Sequence, residues 1–386
     1  MDEIFICSNC IAESRLKKLV VQQGGKGRCQ GCEEDNIVMD INTNEFDQMV
    51  KALIRYYYSE WEYNDHLGGE QFFDFLENEF DRFFVRDRIK DTIVVEELIA
   101  SLDATEVYED EDKGVSLFAG YWEGEMNMPL RAIKSTFHHG IRDIEHRLNT
   151  ENYFNLEAEL HDHVAYYKDG CTLTFEKDSI FYRARSGYTE KRFSVLGGGW
   201  EGEEIYLPHL GKNIGAPPIQ QAEKGRLNRQ GVSYLYCATD SYTSVAEIRP
   251  HPGEIISLAQ FALQRDVKLY DLSDSQFLNY YLTDEKLKDY IRLNTLSEMI
   301  QRVIPPNSRS QYSITQLIAD CVRNCGFDGI YFNSSVGKGY NLVLFDPKLA
   351  ACMDTGNDVI RIDAVDYQYS GLPWANKFDP DFEGHP

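Results

Sequence analysis

The segment GRLNRQGVSYLYCATDSYTSVAEIRP, residues 225–250, carries three arginines, three tyrosines and one glutamate close together in the chain. Its middle part, VSYLYCA, is rich in β-branched and aromatic residues and predicts a strand. The part that follows, TSVAEIRP, predicts a short helix that ends near the proline. Arg226, Tyr234, Tyr236 and Glu247, on and around these two elements, are the first candidates for a functional site.

The region around this segment, residues 166–350, predicts a domain of mixed α and β structure. Residues 172–185 alternate apolar and polar side chains, as one half-buried strand does, and further short strands and glycine-containing loops follow. The strands are too variable in spacing for a doubly wound sheet. Residues 351–386 predict one or two last strands and an acidic tail. The fold class expected for the whole chain is α+β.

The composition limits the number of domains and the kinds of partner. The chain has 386 residues, of which 42% are hydrophobic, enough to build cores in two or three domains. Lysine and arginine number 39 against 63 aspartate and glutamate, and the net charge of −24 repels nucleic acid and anionic lipid. No apolar run is long enough to span a bilayer, and the N-terminus does not resemble a signal peptide. We expect a cytoplasmic protein with no membrane or nucleic-acid partner.

Four cysteines near the N-terminus form two pairs with the spacing of metal ligands. Two residues separate Cys7 from Cys10 and Cys29 from Cys32. This spacing lets both sulfurs of a tight turn face one ion, and two such turns complete a closed tetrahedral site. Residues 1–42 therefore predict a zinc ribbon whose metal is structural. The alternative is four free or redox-active cysteines.

Residues 43–165 predict an acidic, all-helical bundle. Apolar residues recur at helical spacing from 46 to 61, which predicts one amphipathic helix over that range. A second pattern, over 130–148, predicts a helix that carries Arg131 and His138 two turns apart on nearly the same face.

Several short motifs in the C-terminal half resemble the RES domain family, which is named for its Arg, Glu and Ser. In that family a Tyr-x-Ala strand precedes a glutamate by eleven residues, counted from the tyrosine, as Tyr236 precedes Glu247 here. One family arginine follows an aromatic residue in a strand and another follows a glycine in a turn. The corresponding segments here are Phe181-Tyr182-Arg183 and Gly225-Arg226. Tyr312-x2-Thr315-Gln316 resembles a helix start that is common in the family, and Phe332-Asn333-Ser334 with Asn341 fits its serine motif.

The resemblance implies an enzyme of a toxin family that degrades NAD, with a fold similar to that of ADP-ribosyltransferases. It assigns catalysis to Glu247, Arg183, Tyr236 and Ser334. It assigns substrate binding to Arg226, Asn341, Arg185 and Tyr234. Arg185 is an alternative to Arg183, and Ser335 is an alternative to Ser334.

These residue types suit the cleavage of NAD. Breaking the bond between nicotinamide and ribose leaves positive charge on the sugar, and a carboxylate such as Glu247 stabilises that charge in the transition state. The guanidinium groups of Arg183 and Arg226 suit the two phosphates of NAD, even in a chain with a net charge of −24. We expect NAD as the substrate and water as the acceptor, with phosphate or a protein side chain as alternatives.

Two other functions are compatible with the sequence. The spacing of Arg131 and His138 is similar to the ribonuclease motif of HEPN domains, which precede some RES domains and share a site between two protomers. The RES part would then be a nucleotide sensor. The other hypothesis is a module that binds NAD or ADP-ribose without turnover. Expected partners of a toxin or defence effector are an antitoxin or another regulatory protein, and a second copy of the chain through the helical bundle.

Overall fold

A computed structural model of the protein describes residues 3–90, 92–103, 113–122, 125–148, 150–195, 202–304, 312–367 and 369. The α-helices are α1 (Ser14–Gln23), α2 (Asn44–Tyr57), α3 (Glu60–Tyr63), α4 (Phe72–Asn78), α5 (Phe80–Phe83), α6 (Thr92–Asp103), α7 (His139–Arg147), α8 (Tyr153–Tyr166), α9 (Ser241–Glu247), α10 (Asp284–Gln301) and α11 (Ser313–Asn324). The β-strands are β1 (Phe5–Cys7), β2 (Gly25–Arg28), β3 (Asp35–Asp40), β4 (Tyr121–Trp122), β5 (Glu125–Met126), β6 (Thr172–Phe175), β7 (Ile180–Ser186), β8 (Glu190–Val195), β9 (Gly202–Leu207), β10 (Leu235–Ala238), β11 (Ile255–Leu263), β12 (Val267–Asp271), β13 (Gly329–Asn333), β14 (Tyr340–Leu344), β15 (Ala350–Cys352) and β16 (Asp358–Arg361). None of the described helices has the length and apolar character needed to cross a membrane.

The N-terminal region is a three-stranded antiparallel sheet in the order β1, β3, β2, with α1 packed against β3. Cys7 ends β1, and Cys29 and Cys32 lie between β2 and β3. Leu16 and Leu19 on α1 are completely buried. The apolar face of α1 therefore fixes the orientation of this helix on the sheet.

The apolar stripe predicted over 46–61 is divided between two helices. α2 buries Phe46 completely, as the pattern predicts, but the helix ends at Tyr57. α3 then begins with a capping box, in which the Ser59 N–H donates to the Glu62 carboxylate at 2.7 Å. The prediction of one continuous helix was wrong, because this local cap starts a new helix in a new direction.

The helix predicted over 130–148 is confined to α7, and the residues before it are not in an α-helix. The Leu130 N–H donates to the Glu60 carboxylate at 2.9 Å, and the Glu60 N–H donates to the Leu130 carbonyl at 2.8 Å. These contacts with the start of α3 use backbone groups that a helix would need for itself. Arg131 and His138 therefore do not share a helical face, and that prediction was wrong.

The C-terminal half is built on a nine-stranded sheet in which β15, β11, β7, β10, β14, β13, β12 and β6 are successive neighbours and β16 pairs with β11. Its described pairings are antiparallel except that of β12 with β13. The strand predicted over 172–185 is two strands, β6 and β7, because the chain turns between them with Asp178 at a φ of +66°. The fold is mixed α+β, and a relation to ADP-ribosyltransferases stays a prediction.

One cluster of buried apolar side chains extends from the N-terminal sheet through the helices to the large sheet. It includes Ile6 on β1, Leu53 on α2 and Val343 on β14. α8 packs against α11, and the Tyr270 hydroxyl on β12 donates to the Val164 carbonyl on α8 at 3.0 Å. The four predicted domain ranges stay predictions, and apolar packing crosses the boundaries between the first three.

A buried ion pair joins α2 to α10. The Arg55 guanidinium donates to the Asp284 carboxylate at 2.8 Å and to the Ser116 carbonyl at 2.7 Å. Both charged side chains are less than a tenth exposed. Each charge therefore depends on the other for the interactions that water would otherwise supply.

Replacing Asp284 by alanine should reduce the free energy of unfolding by about 3 kcal/mol, because the variant leaves the Arg55 charge buried without its partner. Denaturation of the full chain by urea measures the change. Arg192→Ala is the control, since it removes an exposed partner of Glu190 and should change stability little. Equal stability of the two variants would contradict the importance of the buried pair.

Candidate active site

Glu247 is the last residue of α9 and packs beside the central strands of the large sheet. Its Oε1 accepts two hydrogen bonds, from Ser334 Oγ at 2.7 Å and from Asn341 Nδ2 at 2.6 Å. Asn341 lies on β14 and Ser334 directly follows β13. No residue that the structure describes makes a hydrogen bond to Oε2. The protein therefore holds one carboxylate oxygen in place, while the other has no hydrogen bond from the described residues.

The loop between β13 and β14 holds Ser334 through contacts with the start of α9. The Ser334 N–H donates to the Gly339 carbonyl at 3.0 Å, and the Gly337 N–H donates to Ser334 Oγ at 2.8 Å. The Gly339 N–H donates to Thr243 Oγ1 at 3.0 Å. A Cβ at Gly339 would lie 2.0 Å from an Asp240 side-chain oxygen, so a larger residue there would displace the carboxylate that accepts from Thr243. The loop and α9 form one unit that carries both the carboxylate and its serine donor.

A cavity of about 400 Å³ opens beside Glu247. It is lined by Tyr182, Arg183, Ala184, Arg226, Tyr236, Cys237, Ala238, Ser244, Glu247, Ile248, Arg249, Ile304, Tyr312, Phe332 and Asn341. A second cavity of about 360 Å³ shares with it the side chains of Arg183, Arg226, Tyr236 and Tyr312. Both volumes are in the range of small-molecule sites, and the shared walls suit an elongated ligand that occupies both.

Arg183 lies on β7 and lines both cavities. Its Nε donates to the Ile214 carbonyl at 2.6 Å, and Nη1 donates to the Tyr236 carbonyl at 2.6 Å. Burial lowers the pKa of Arg183, and the nearby charge of Arg185 lowers it further. An arginine nevertheless stays charged at neutral pH, and no described carboxylate pairs with this one. The position therefore favours an anionic ligand.

The structure separates the two pairs of candidates that the sequence left open. Ser334 donates to Glu247, whereas Ser335 makes no hydrogen bond with it. Arg183 lines both cavities, whereas Arg185 is exposed and lines neither. Catalytic roles for Ser334 and Arg183 stay predictions, and these positions favour them over the alternatives.

Arg226 lies in a turn that is held from two sides. Its Nη1 donates to the carbonyls of Ile300 and Arg302 at 2.5 and 3.1 Å, at the C-terminal end of α10. Gln316, near the start of α11, donates to the Gly225 carbonyl at 2.8 Å. The backbone carbonyls use part of the hydrogen-bonding capacity of Arg226, and its side chain also lines both cavities.

Tyr234 and Tyr236, just before and within β10, have different environments. The Tyr236 hydroxyl donates to Asn228 Oδ1 at 2.8 Å, and the ring lines both cavities. Burial raises the pKa of Tyr236, so its hydroxyl stays protonated at neutral pH. Tyr234 packs on Phe345 with ring centres 5.0 Å apart and lines only the second cavity. Tyr236 is therefore the tyrosine nearer to the candidate catalytic carboxylate.

The elements around this carboxylate lie within a region that is similar to a known family. Residues 209–369 match the RES domain. The RES region contains Glu247 and both of its hydrogen-bond donors, whereas β7, which carries Arg183, lies before it. The match does not extend to the N-terminal sheet or to the helices that follow it, so the zinc ribbon and the HEPN-like bundle stay predictions.

Other comparisons add little to the RES match. No curated protein matches the chain. A solved structure that matches is described as "Crystal structure of the M.tuberculosis MbcT-MbcA toxin-antitoxin complex". The two chains are 11% identical with a TM-score of 0.26, and the match covers 52% of this chain and 92% of the other. Because the identity and the score are low, we base no inference on this similarity.

Arg249, which the sequence patterns did not single out, also lines the first cavity of the RES region. It lies two residues beyond the end of α9 with a φ of +49°, a region that glycine adopts freely. Any other residue there costs about 1 kcal/mol or more. Its guanidinium makes no hydrogen bond or ion pair with another described residue. Its position beside a carboxylate and a cavity makes Arg249 a further candidate for binding a ligand.

The four predicted metal ligands form a compact, buried group in the N-terminal sheet. Sγ of Cys7 is 3.7 Å from that of Cys10 and 3.6 Å from that of Cys32, and Sγ of Cys10 is 3.8 Å from that of Cys29. Four sulfurs bound about 2.3 Å from one ion at tetrahedral angles are about 3.8 Å apart. The spacing therefore fits a metal ion with four thiolate ligands.

The two ribonuclease candidates lie away from both cavities. The ring of His138 is 5.1 Å from that of His163, and burial and then His163 lower the pKa of His138. Arg131 is exposed in the segment tied to α3. A ribonuclease role for the pair stays a prediction, and these positions do not favour it.

Replacing Gly225 by alanine should lower the free energy of unfolding by about 1–3 kcal/mol. The new Cβ would lie 2.3 Å from Asn228 Oδ1, to which the Tyr236 hydroxyl donates. Urea unfolding followed by tryptophan fluorescence measures the change. Gly25→Ala is the matched control, because a Cβ there meets nothing within 4 Å. Similar stability of the two variants would show that the turn around Arg226 is not tightly packed.

Proposed function

We propose that the chain cleaves NAD at the bond between nicotinamide and ribose, with water as the acceptor. The observation that carries the proposal is Glu247, a carboxylate held at one oxygen by Ser334 and Asn341 beside a cavity that Arg183 and Arg226 line. The RES match supports it, because the motifs of this region resemble those of a family that degrades NAD.

The proposed step breaks the bond between the ribose carbon and the nicotinamide nitrogen, and the electron pair leaves with nicotinamide. Positive charge then develops on the sugar, and a nearby carboxylate stabilises it more in the transition state than in the ground state. In this proposal Oε2 of Glu247 faces the sugar, while Oε1 stays bound to its two donors. Water adds to the ribose carbon and loses a proton to solvent, which yields ADP-ribose.

The phosphates of NAD would bind to the arginines of the first cavity, which are Arg183, Arg226 and Arg249. The pyrophosphate carries two negative charges, and guanidinium groups donate paired hydrogen bonds to phosphate oxygens. Arg183 and Arg226 donate to backbone carbonyls with part of their N–H groups, so Arg249 has the most donors left among the described contacts. Together they supply local positive charge in a chain of net charge −24.

We infer that the biological role is depletion of the cofactor, as in a toxin or a defence effector. Residues 209–369 match the RES domain, and the resemblance of the motifs implies a toxin family that degrades NAD. An antitoxin or another regulatory protein would hold such an enzyme inactive until it is needed. Zinc in the four-cysteine site would be structural, since four thiolates leave no open position for substrate. A homodimer through the helices and a cytoplasmic location are parts of the same proposal.

Mass spectrometry of NAD incubated with the full chain tests the reaction. Nicotinamide with ADP-ribose would identify water as the acceptor, ADP-ribose 1-phosphate would identify phosphate, and a mass increase on protein would identify ADP-ribosyl transfer. Binding of NAD without products would favour the binding module. If no product forms with any of these acceptors, the proposed function is wrong.

Glu247→Gln should lower kcat for NAD cleavage by about 100-fold or more, with little change in the dissociation constant for NAD. The glutamine oxygen can still accept from Ser334 and Asn341, but the negative charge is lost. Nicotinamide release and calorimetric titration measure the two quantities. Glu254→Gln, which changes a glutamate that lines neither cavity, should behave as wild type. A Glu247→Gln variant as active as this control would exclude Glu247 as the catalytic carboxylate.

Arg249→Gly should raise KM for NAD by about tenfold, the loss expected for a hydrogen bond to a charged phosphate. Stability should not fall, because glycine adopts the φ of +49° without strain. Arg249→Lys keeps the charge and the strain and should have an intermediate KM. Nicotinamide-release kinetics and thermal unfolding measure both effects. An unchanged KM in the glycine variant would argue against a phosphate contact.

A further inference from the structure

Lys18 on α1 joins the N-terminal sheet to the strands that carry the candidate site. Its Nζ donates to Asp274 Oδ1 at 3.1 Å, to Ser275 Oγ at 2.8 Å and to the Tyr340 hydroxyl at 2.6 Å. Asp274 and Ser275 follow β12, and Tyr340 is the first residue of β14. The Lys18 side chain is 30% exposed, so water screens these contacts only in part. The charged end of a side chain on α1 thus contacts the large sheet directly.

The contacts of Lys18 lead to the residues that directly precede Ser334 and Asn341, the two hydrogen-bond donors to Glu247. The Asp274 N–H donates to the side-chain oxygen of Asn333 at 2.8 Å, and Asn333 directly precedes Ser334. Tyr340, which binds Lys18 through its hydroxyl, directly precedes Asn341. Both ends of the loop between β13 and β14 are therefore connected to the same ammonium group.

The position of Lys18 is itself fixed, because α1 is anchored one turn earlier. The Arg15 guanidinium lies 4.0 Å from the ring centre of Tyr56 on α2 and 4.8 Å from that of Phe277. Phe277 belongs to the same short helical segment as Asp274. α1 therefore contacts α2 and this segment together, which fixes the helix from which the Lys18 side chain extends.

We propose that Lys18 is a positioning residue for Glu247, through which α1 sets the geometry of the loop between β13 and β14. This role rests on the proposed function. Lys18 lines neither cavity, so it acts through other residues and does not touch the substrate. By holding Asp274 and Tyr340, it keeps both ends of the loop at a fixed position relative to α9. The two hydrogen bonds to Oε1, and with them the direction of Oε2, then depend on a contact from the N-terminal sheet.

Lys18 and Asp274 each stabilise the charged form of the other. Burial raises the pKa of Asp274, but the charge of Lys18 and the hydrogen bonds from Lys18 and Asn333 outweigh it and lower the pKa overall. Burial lowers the pKa of Lys18, and its contacts with Tyr340 and Asp274 outweigh that effect in turn. Both groups are charged at neutral pH. Loss of the ammonium would leave the partly buried Asp274 without its hydrogen-bonded cation and would weaken its hold on Asn333.

Lys18→Met removes the ammonium but keeps an unbranched side chain, and Lys17→Met removes the same charge from an exposed neighbour. The first variant should lower kcat for NAD cleavage by about tenfold, with the dissociation constant for NAD unchanged, because the carboxylate is misplaced while the cavity is intact. The Lys17→Met variant should match wild type.

Tyr340→Phe deletes only the hydroxyl that Lys18 binds and should lower kcat by a smaller factor. It carries the test if Lys18→Met does not fold. An unchanged kcat in both Lys18→Met and Tyr340→Phe would overturn the inference.

Hydrogen exchange of the full-length chain provides a measurement that does not need turnover. The N–H groups of Val336 and Gly337 donate to Ser334 Oγ and report on the loop. They should exchange about tenfold faster in Lys18→Met than in Lys17→Met. If wild type releases no nicotinamide, the proposed function fails, and exchange alone decides whether Lys18 holds the loop. Equal exchange in the two variants, or a lower kcat without faster exchange, would overturn the inference.

Discussion

The pair of hydrogen bonds to Oε1 of Glu247 is the constraint on which the candidate site depends. A glutamate at a helix end can adopt several rotamers, but donors at 2.7 and 2.6 Å on one oxygen restrict it to one orientation. The donors come from a loop and a strand, and the carboxylate comes from a helix. Each element is held separately, the loop by Thr243 and β14 by its pairing with β10 and β13. The position of the carboxylate is therefore a property of the whole sheet.

The distribution of charge explains how an acidic chain can hold an anionic ligand. The net charge is −24, yet the first cavity contains Arg183, Arg226 and Arg249 with a single carboxylate. Backbone carbonyls orient two of these guanidinium groups without neutralising them. At distances beyond about 8 Å salt screens the surrounding acidic groups, whereas the arginines act at contact. This arrangement suits the small dinucleotide proposed as substrate, whereas a long polyanion would also meet the acidic surface.

The sequence predicted best those features that depend on residues close together in the chain. The eleven residues from Tyr236 to Glu247 accommodate the strand, the turn and the helix that the pattern indicated. The helix over 130–148 was wrong because Glu60, seventy residues from Leu130, takes up backbone groups of this segment. The contact of Lys18 with Asp274 could not be predicted either, since 256 residues separate the two. Arg249 was missed because a positive φ at a residue other than glycine leaves no mark in composition or periodicity.

The order of strands in the large sheet limits how the chain can be divided. β7 lies before the region that matches the RES domain, yet it pairs with both β10 and β11 inside that region. A fragment that began at residue 209 would have two unpaired strand edges in the middle of its sheet. Exposed edges of this kind pair with other chains, so the fragment would aggregate instead of folding alone. A gene fusion or recombination event that transfers this sheet intact must therefore include β7 as well as residues 209–369.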